Sequence, residues 1–446
     1  MQLRGQTFNV IHNFTNNPDG ASPEAGLVLS GNTLYGTTFR GGSASNGIVF
    51  KVNEDGSDFT LLHNFSAFGL FSTNSDGANP LGNLVFAGDT LFGTTRNGGF
   101  VTNISNFSGN GTVFALNTNG TNFSIVTYIS SGSPFPEAGL TLYGNKLYGT
   151  TYGNASGSPP GTVFAVNTNG TGYTNFAGFG GTHPEATLVL GSNTLYGTDW
   201  GSGGTSYGSV FAITTNGTSF SNLVMFSEQS ATNGGQPAAD LVFSGETLYG
   251  TCAAFGGSGG GTVFKINTDG TGFAILKTFA NDVNAIDGSA PVAGLVLSGS
   301  TLYGTTKWGG SGGKGTVFRV GNDGTAYAVL KNFAGSDGAN PVADLVLDGG
   351  TLYGTTSLGG SAGFGLVFSL TVPPPSLQIM IADNVPVIFW VDDGRDHMLQ
   401  TTTNLTTGNW LDMPSLNWTN SSGGTLRIGY QIPNLIDSPD AFFRLQ

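Results

Sequence analysis

Leu34-Tyr35-Gly36-Thr37 decides how this chain is read, because it returns at Leu91 (with Phe92 in place of Tyr), Leu147, Leu195, Leu248, Leu302 and Leu352. A tetrapeptide recurring at a period of about 50 residues marks a stacked or circular array, in which each unit buries its apolar faces against its neighbours. Four short apolar runs surround each copy. In the first unit they are Leu27 to Leu29, Thr33 to Thr37, Gly47 to Val52 and Phe59 to Phe65. All are short, rich in β-branched and aromatic residues and bounded by Gly, Asn, Asp and Ser, so they predict strands. The turns Ser30-Gly31-Asn32 and Asn53 to Ser57 are short enough for hairpins, with glycine supplying the positive φ such turns need. These two hairpins share one end of the sheet. The longer segments, Thr38 to Asn46 and Ser66 to Gly82, share the other.

The count of strands closes the ring. Gly-x-Val-Phe opens a third strand seven times, at Gly47, Gly111, Gly161, Gly208, Gly261, Gly315 and Gly365, and a proline precedes the first strand seven times, from Pro23 to Pro341. After the seventh Gly-x-Val-Phe no fourth strand follows. A matching strand stands instead at the N-terminus, Phe8 to Phe14, offering Phe8, Val10, Ile11 and Phe14 to the core. The expectation is an all-β fold: a seven-bladed β-propeller of four-stranded blades over residues 1–371, its last blade completed by the N-terminal strand, which leaves no long free edge. Pro373-Pro374-Pro375 reads as a stiff linker within 372–375. Residues 376–446 form a further small domain, with strands expected at Leu377–Ile381, Val385–Val391, Met398–Thr402, Leu426–Ile432 and Phe442–Leu445 and a turn at Asp392-Asp393-Gly394.

The multi-part pattern Leu-Tyr-Gly-Thr-Thr, Gly-Gly, Gly-Thr-Val-Phe, Asn-x-Asp-Gly-Thr resembles the GloVer tandem repeat of bacterial, usually exported, proteins, over about residues 8–370. That resemblance implies a propeller-like repeat with varied C-terminal attachments, and carries no catalytic residues with it. A weaker likeness is to kelch repeats, which also place Gly-Gly after the second strand, but the kelch Trp of the last strand is missing. The tail, with Leu399-Gln400, Asn404-Leu405 and Trp410, resembles the small Ig- or fibronectin-like β-sandwich found at the end of many exported bacterial proteins. It implies secretion or a cell-surface location, any signal peptide lying outside this numbering.

Composition narrows the function. Gly makes up 74 of 446 residues, charged residues only 9%, and 27 acidic against 14 basic residues leave a net charge of −13. With no basic cluster, a phosphate backbone is repelled, which argues against nucleic acid. The single cysteine, Cys252, rules out an intrachain disulfide and a cysteine zinc site. No apolar run reaches the ~20 residues of a membrane helix. Gly256 to Gly260 fits Gly-x-Ser-x-Gly, but a nucleophile elbow needs a strand-to-helix turn, and this segment joins two strands. His12 and His63 share a repeat position with Thr127, Ala177, Val224, Lys277 and Lys331, so they are expected to face solvent on the outer strand. Asp19, Asp76, Asp287 and Asp337, each before a glycine, are expected to form Asx turns. No metal site and no cofactor is expected.

Two sets of residues point to function. Glu24, Glu137 and Glu185 directly follow the repeat proline, and His183 precedes Pro184; opening the innermost strand, they should lie near the channel mouth. The loop after each Leu-Tyr-Gly-Thr carries Phe39 with Arg40, Tyr152, Trp200, Phe255, and Lys307 with Trp308, on the face bearing the long loops. Exposed rings on a rigid scaffold stack on sugars or anchor a protein. The expected function is a non-catalytic scaffold that binds a glycan or a protein through this face. The alternatives are a glycan hydrolase or lyase using Glu137, Glu185 and His183, and a structural envelope component.

Overall fold

The computed structural model describes residues 6–69, 74–99, 109–129, 134–153, 160–178, 183–201, 207–226, 233–282 and 285–372, and the strands alone beyond 377. Seven four-stranded antiparallel sheets follow one another along the array. Blade one is built from β2 (Val28–Ser30), β3 (Thr33–Thr38), β4 (Ile48–Asn53) and β5 (Thr60–Asn64), in that order. Blade seven takes three strands from the C-terminal end of the array, Val346–Asp348, Thr351–Thr356 and Leu366–Thr371, and its fourth, β1 (Thr7–Asn13), from the N-terminus. Thr7 lies opposite Thr371 and Asn13 opposite Leu366. The chain is thus a seven-bladed propeller closed by its first strand.

Period two explains the stacking. Leu34 of β3 and Phe50 and Val52 of β4 lie with Phe14, Tyr353 and Val367 of blade seven, while Tyr35 and Val49 lie with Leu91 and Phe114 of blade two. Both faces of every blade are therefore core, which is why the middle strands set apolar residues on both faces instead of on alternate positions only. The repeat glycine has a steric cause. Gly36 lies opposite Phe50, and a Cβ on it would stand 2.7 Å from the Phe50 ring; the same Gly–Phe pair recurs in each blade, as at Gly149 and Phe164.

The outer strands correct the sequence reading. His12 is half-buried, its Nε2 3.1 Å from Asp19 Oδ2 and its ring stacked 3.8 Å from that of Phe59 in the next blade. His63 repeats this with Asp76 and Phe123. Lys277 pairs with Asp287 at 2.5 Å and lies over the Tyr327 ring; Lys331 pairs with Asp337 and lies over Phe8. The position is a clamp between adjacent blades, not a solvent-facing one. Each Asp does more than turn its loop, as where Asp19 accepts from the Thr15 amide while holding His12. Burial pushes the His12 pKa down, so this imidazole is neutral at physiological pH.

The linker at 373–375 and the turn at 392–394 lie outside the described residues. Beyond them the strands Gln378–Ala382, Val385–Val391, Thr425–Gln431 and Trp418–Ser422 pair in that order, and Leu411–Asp412, Leu399–Thr402 and Phe442–Leu445 form a second sheet.

Candidate functional site

Seven equivalent backbone bonds build the mouth of the central channel. The residue after each Leu-Tyr-Gly-Thr-Thr segment donates its amide to the carbonyl just before a repeat proline: Phe39 to Ser22, Arg96 to Asn79, Tyr152 to Phe135, Trp200 to His183, Ala253 to Gln236, Lys307 to Ala290 and Ser357 to Asn340. All of these acceptors but His183 have a left-handed backbone, with φ from 53° to 67°. That conformation turns the chain sharply into the innermost strand, at a cost non-glycine residues bear only where surrounding structure enforces it.

The result is a cavity of about 630 Å³ on the long-loop face. Its wall carries Glu24, Glu137 and Glu185 from the residue after the proline, Tyr152, Trp200 and Lys307 from the hydrogen-bonded ring, and Arg40 and Leu358 from the position after that ring. Of the other aromatic candidates, Trp308 is exposed and Phe39 and Phe255 are half-buried, and none of the three lines the cavity. Phe255 packs on Tyr207 with ring centroids 4.4 Å apart. The Arg40 guanidinium lies over Phe39, and the Lys307 ammonium over Trp308. Thus Trp200 and Tyr152 share the cavity, while Phe255 and Trp308 sit apart from it. His183 is buried outside the lining, stacked 4.2 Å from the Tyr152 ring. Its Nδ1 donates to the Tyr152 carbonyl at 2.9 Å, which fixes the tautomer and supports the tyrosine.

The floor comes from residues the sequence reading passed over. Two positions past each Glu site stand Gly26, Asn83, Gly139, Thr187, Asp240, Gly294 and Asp344; the strand period of two, applied from Glu24, would have pointed to them. Four of the seven backbone amides reach forward to the next blade's side chain. Gly26 donates to Asn83 Oδ1 at 2.6 Å, Gly139 to Thr187 Oγ1 at 3.1 Å, Thr187 to Asp240 Oδ1 at 2.6 Å and Gly294 to Asp344 Oδ1 at 2.5 Å. Across the channel the Asn83 amide donates to Asp344 Oδ2 at 2.7 Å and to Asp240 Oδ2 at 3.3 Å. Burial, then the charge of Asp344, holds the Asp240 carboxyl well above the usual range. Through Asn83, blades two, five and seven are tied across the channel.

The wall carboxyls differ in their surroundings. Arg96 Nε lies 2.5 Å from Glu137 Oε1. Burial, reinforced by the neighbouring Glu137 and partly offset by Arg96, pushes Glu185 up to about 8; Glu24 is also raised, chiefly by burial, against the pull of Arg40 and Lys307. An exposed glutamate titrates near 4.3. The folded protein therefore holds a proton on Glu185 between ~4.5 and ~8 that the unfolded chain has released, and the stability it contributes is full below that window and lost as pH rises through it. The melting temperature is expected to fall from ~pH 5 to ~pH 8.5, and less steeply in Glu185→Gln. An identical fall in both proteins would assign the titration to another group.

The Gloeobacter/Verrucomicrobia repeat family matches residues 1–182, 99–285 and 207–384 in overlapping spans. No curated protein matches the sequence. Among solved structures, a protein assigned as a 6-phosphogluconolactonase from Bacteroides uniformis is 14% identical, with 94% of this chain and 99% of that one covered at a TM-score of 0.47. One so assigned from Bacteroides fragilis is 16% identical, with 88% and 94% covered at 0.46. The nidogen/laminin complex contains a chain 13% identical, with 67% and 93% covered at 0.42. Among the described residues no helix is long and apolar enough to cross a membrane.

Proposed function

This chain belongs to the Gloeobacter/Verrucomicrobia repeat family, and from that premise we propose that it is a rigid binding scaffold holding a saccharide in the mouth of its channel. One observation carries the reading: a concave site of about 630 Å³ in which Tyr152 and Trp200 stand beside charged and hydrogen-bonding groups over a hydrogen-bonded floor. Ligand sites are commonly clefts of ~300–1,000 Å³ with a few convergent polar groups. Aromatic rings suit the apolar faces of sugars, and carboxyls suit their hydroxyls. In this reading Trp308 and Leu358, both exposed, extend the surface outward for a longer glycan. The tail serves as a small β-sandwich and the protein acts outside the cell, a reading that rests on the likeness of the tail to modules of exported proteins.

A saccharide array followed by calorimetry tests the proposal. Trp200→Ala is expected to weaken binding five- to tenfold, for about 1 kcal/mol of lost stacking, with the melting temperature nearly unchanged. Absence of any saccharide binding by the wild type would overturn it. A second reading is favoured by the unlike surroundings of Glu137, ion-paired to Arg96, and Glu185, held protonated at neutral pH. Carboxyls so differentiated can divide acid and base roles. Release of new reducing ends by the wild type, lost in Glu185→Gln, would move the assignment from scaffold to hydrolase. His183, committed to the Tyr152 carbonyl, is left as a support in both readings.

A further inference from the structure

We infer that the saccharide bound in the channel mouth is anionic, its acidic group held between Arg40 of blade one and Lys307 of blade six; this rests on the saccharide reading above. The chain has only 14 basic residues and a net charge of −13, yet two of them line this cavity. Among the described residues, three other cations are paired with carboxylates, Arg96 with Glu137, Lys277 with Asp287 and Lys331 with Asp337. Neither Arg40 nor Lys307 has a carboxylate within 4 Å. Glu24 lies near enough to feel both, but one carboxylate balances at most one of the two charges.

Position strengthens the point. Blade seven separates the two cations and lines the cavity there with Ser357 and Leu358, neither of which carries a charge. The remaining carboxyls are engaged by other groups. Glu137 is ion-paired with Arg96, and Asp344 at the floor is taken up by the Asn83 side chain and the Gly294 amide. Tyr152 and Trp200, from blades three and four, stand across the cavity from the cations. A sugar ring against the aromatic wall would direct its acidic substituent to the cationic one. Arg40 offers a planar fork of donors suited to a carboxylate or a phosphate, and Lys307 a point charge.

Carboxylate and phosphate share this chemistry, so the experiment uses both. The probes are a hexuronic acid oligosaccharide, a hexose phosphate and a neutral oligosaccharide of matched length, titrated calorimetrically into the full chain at low and moderate salt. One or both acidic ligands are expected to bind at least tenfold more tightly than the neutral one, with the preference shrinking as salt rises. Arg40→Gln and Lys307→Gln should each lower affinity for the preferred acidic ligand about tenfold, for one lost charge-assisted contact, and shrink its preference over the neutral one by a similar factor. Equal affinity for acidic and neutral saccharides, indifferent to both substitutions, would overturn the anion assignment while keeping the saccharide site. Failure of all three ligands would instead remove the saccharide reading itself. The melting temperature of each variant is the control, since both side chains sit at the cavity wall and not in the core.

Discussion

Deletion of residues 1–14 is expected to abolish cooperative unfolding of the propeller. That segment contributes the fourth strand of blade seven, and with it Phe14, fully buried against Phe50 of blade one at 5.3 Å between ring centroids. Phe8 stacks on Phe368 at 5.6 Å and meets Phe333 edge-on. Ile11 packs against the same inter-blade cluster as Phe14. Val10, by contrast, is 39% exposed and adds little. Three apolar side chains at ~1.5–3 kcal/mol each amount to about 4–9 kcal/mol, against a typical total stability of ~5–15 kcal/mol. The strand Leu366–Thr371 would also be left as an unpaired edge, a template for aggregation. Circular dichroism melts of the truncated chain check this. A sharp transition at the wild-type temperature would show that the ring does not depend on its first strand.

Gly82→Ala is expected to lower the melting temperature by about 6–12 °C. Gly82 stands where the chain enters the innermost strand of blade two, and a Cβ there would come within 2.2 Å of the Ala138 carbonyl oxygen and 2.5 Å of the Gly139 amide nitrogen. Both are backbone atoms of the neighbouring blade, so relief requires one blade to move against another. Overpacking costs ~1–3 kcal/mol and more where nothing can give, and ~3 kcal/mol corresponds to that shift at 2–4 °C per kcal/mol. Because Gly82 borders Asn83, the same movement would loosen the tie between Asn83, Asp240 and Asp344, and saccharide affinity should fall with stability. An unchanged melting temperature would mean that the blades are not pressed together at the channel.

The sequence alone determined the architecture. Leu-Tyr-Gly-Thr and Gly-x-Val-Phe specify two adjacent strands in every unit, the asparagine- and aspartate-glycine turns join the second of these to the outer strand, and the displaced strand Phe8 to Phe14 requires the ring to close. These are local signals, legible because strand and turn chemistry act over a few residues. The glutamates after the repeat prolines were legible for the same reason, as the start of the innermost strand.

Tertiary structure decided what those residues meet. His12 was read as solvent-facing from a position that also accepts Lys and Ala, but the ring of Phe59 from the next blade covers it. Trp200, Phe255 and Trp308 look like one set along the chain, yet only Trp200 turns to the cavity, because one residue of offset in a loop redirects a side chain. The channel floor was out of reach of any local pattern. Asn83 lies 157 residues from Asp240 and 261 from Asp344, and what joins them is the curvature of the closed ring, which brings equivalent positions of non-adjacent blades to one axis.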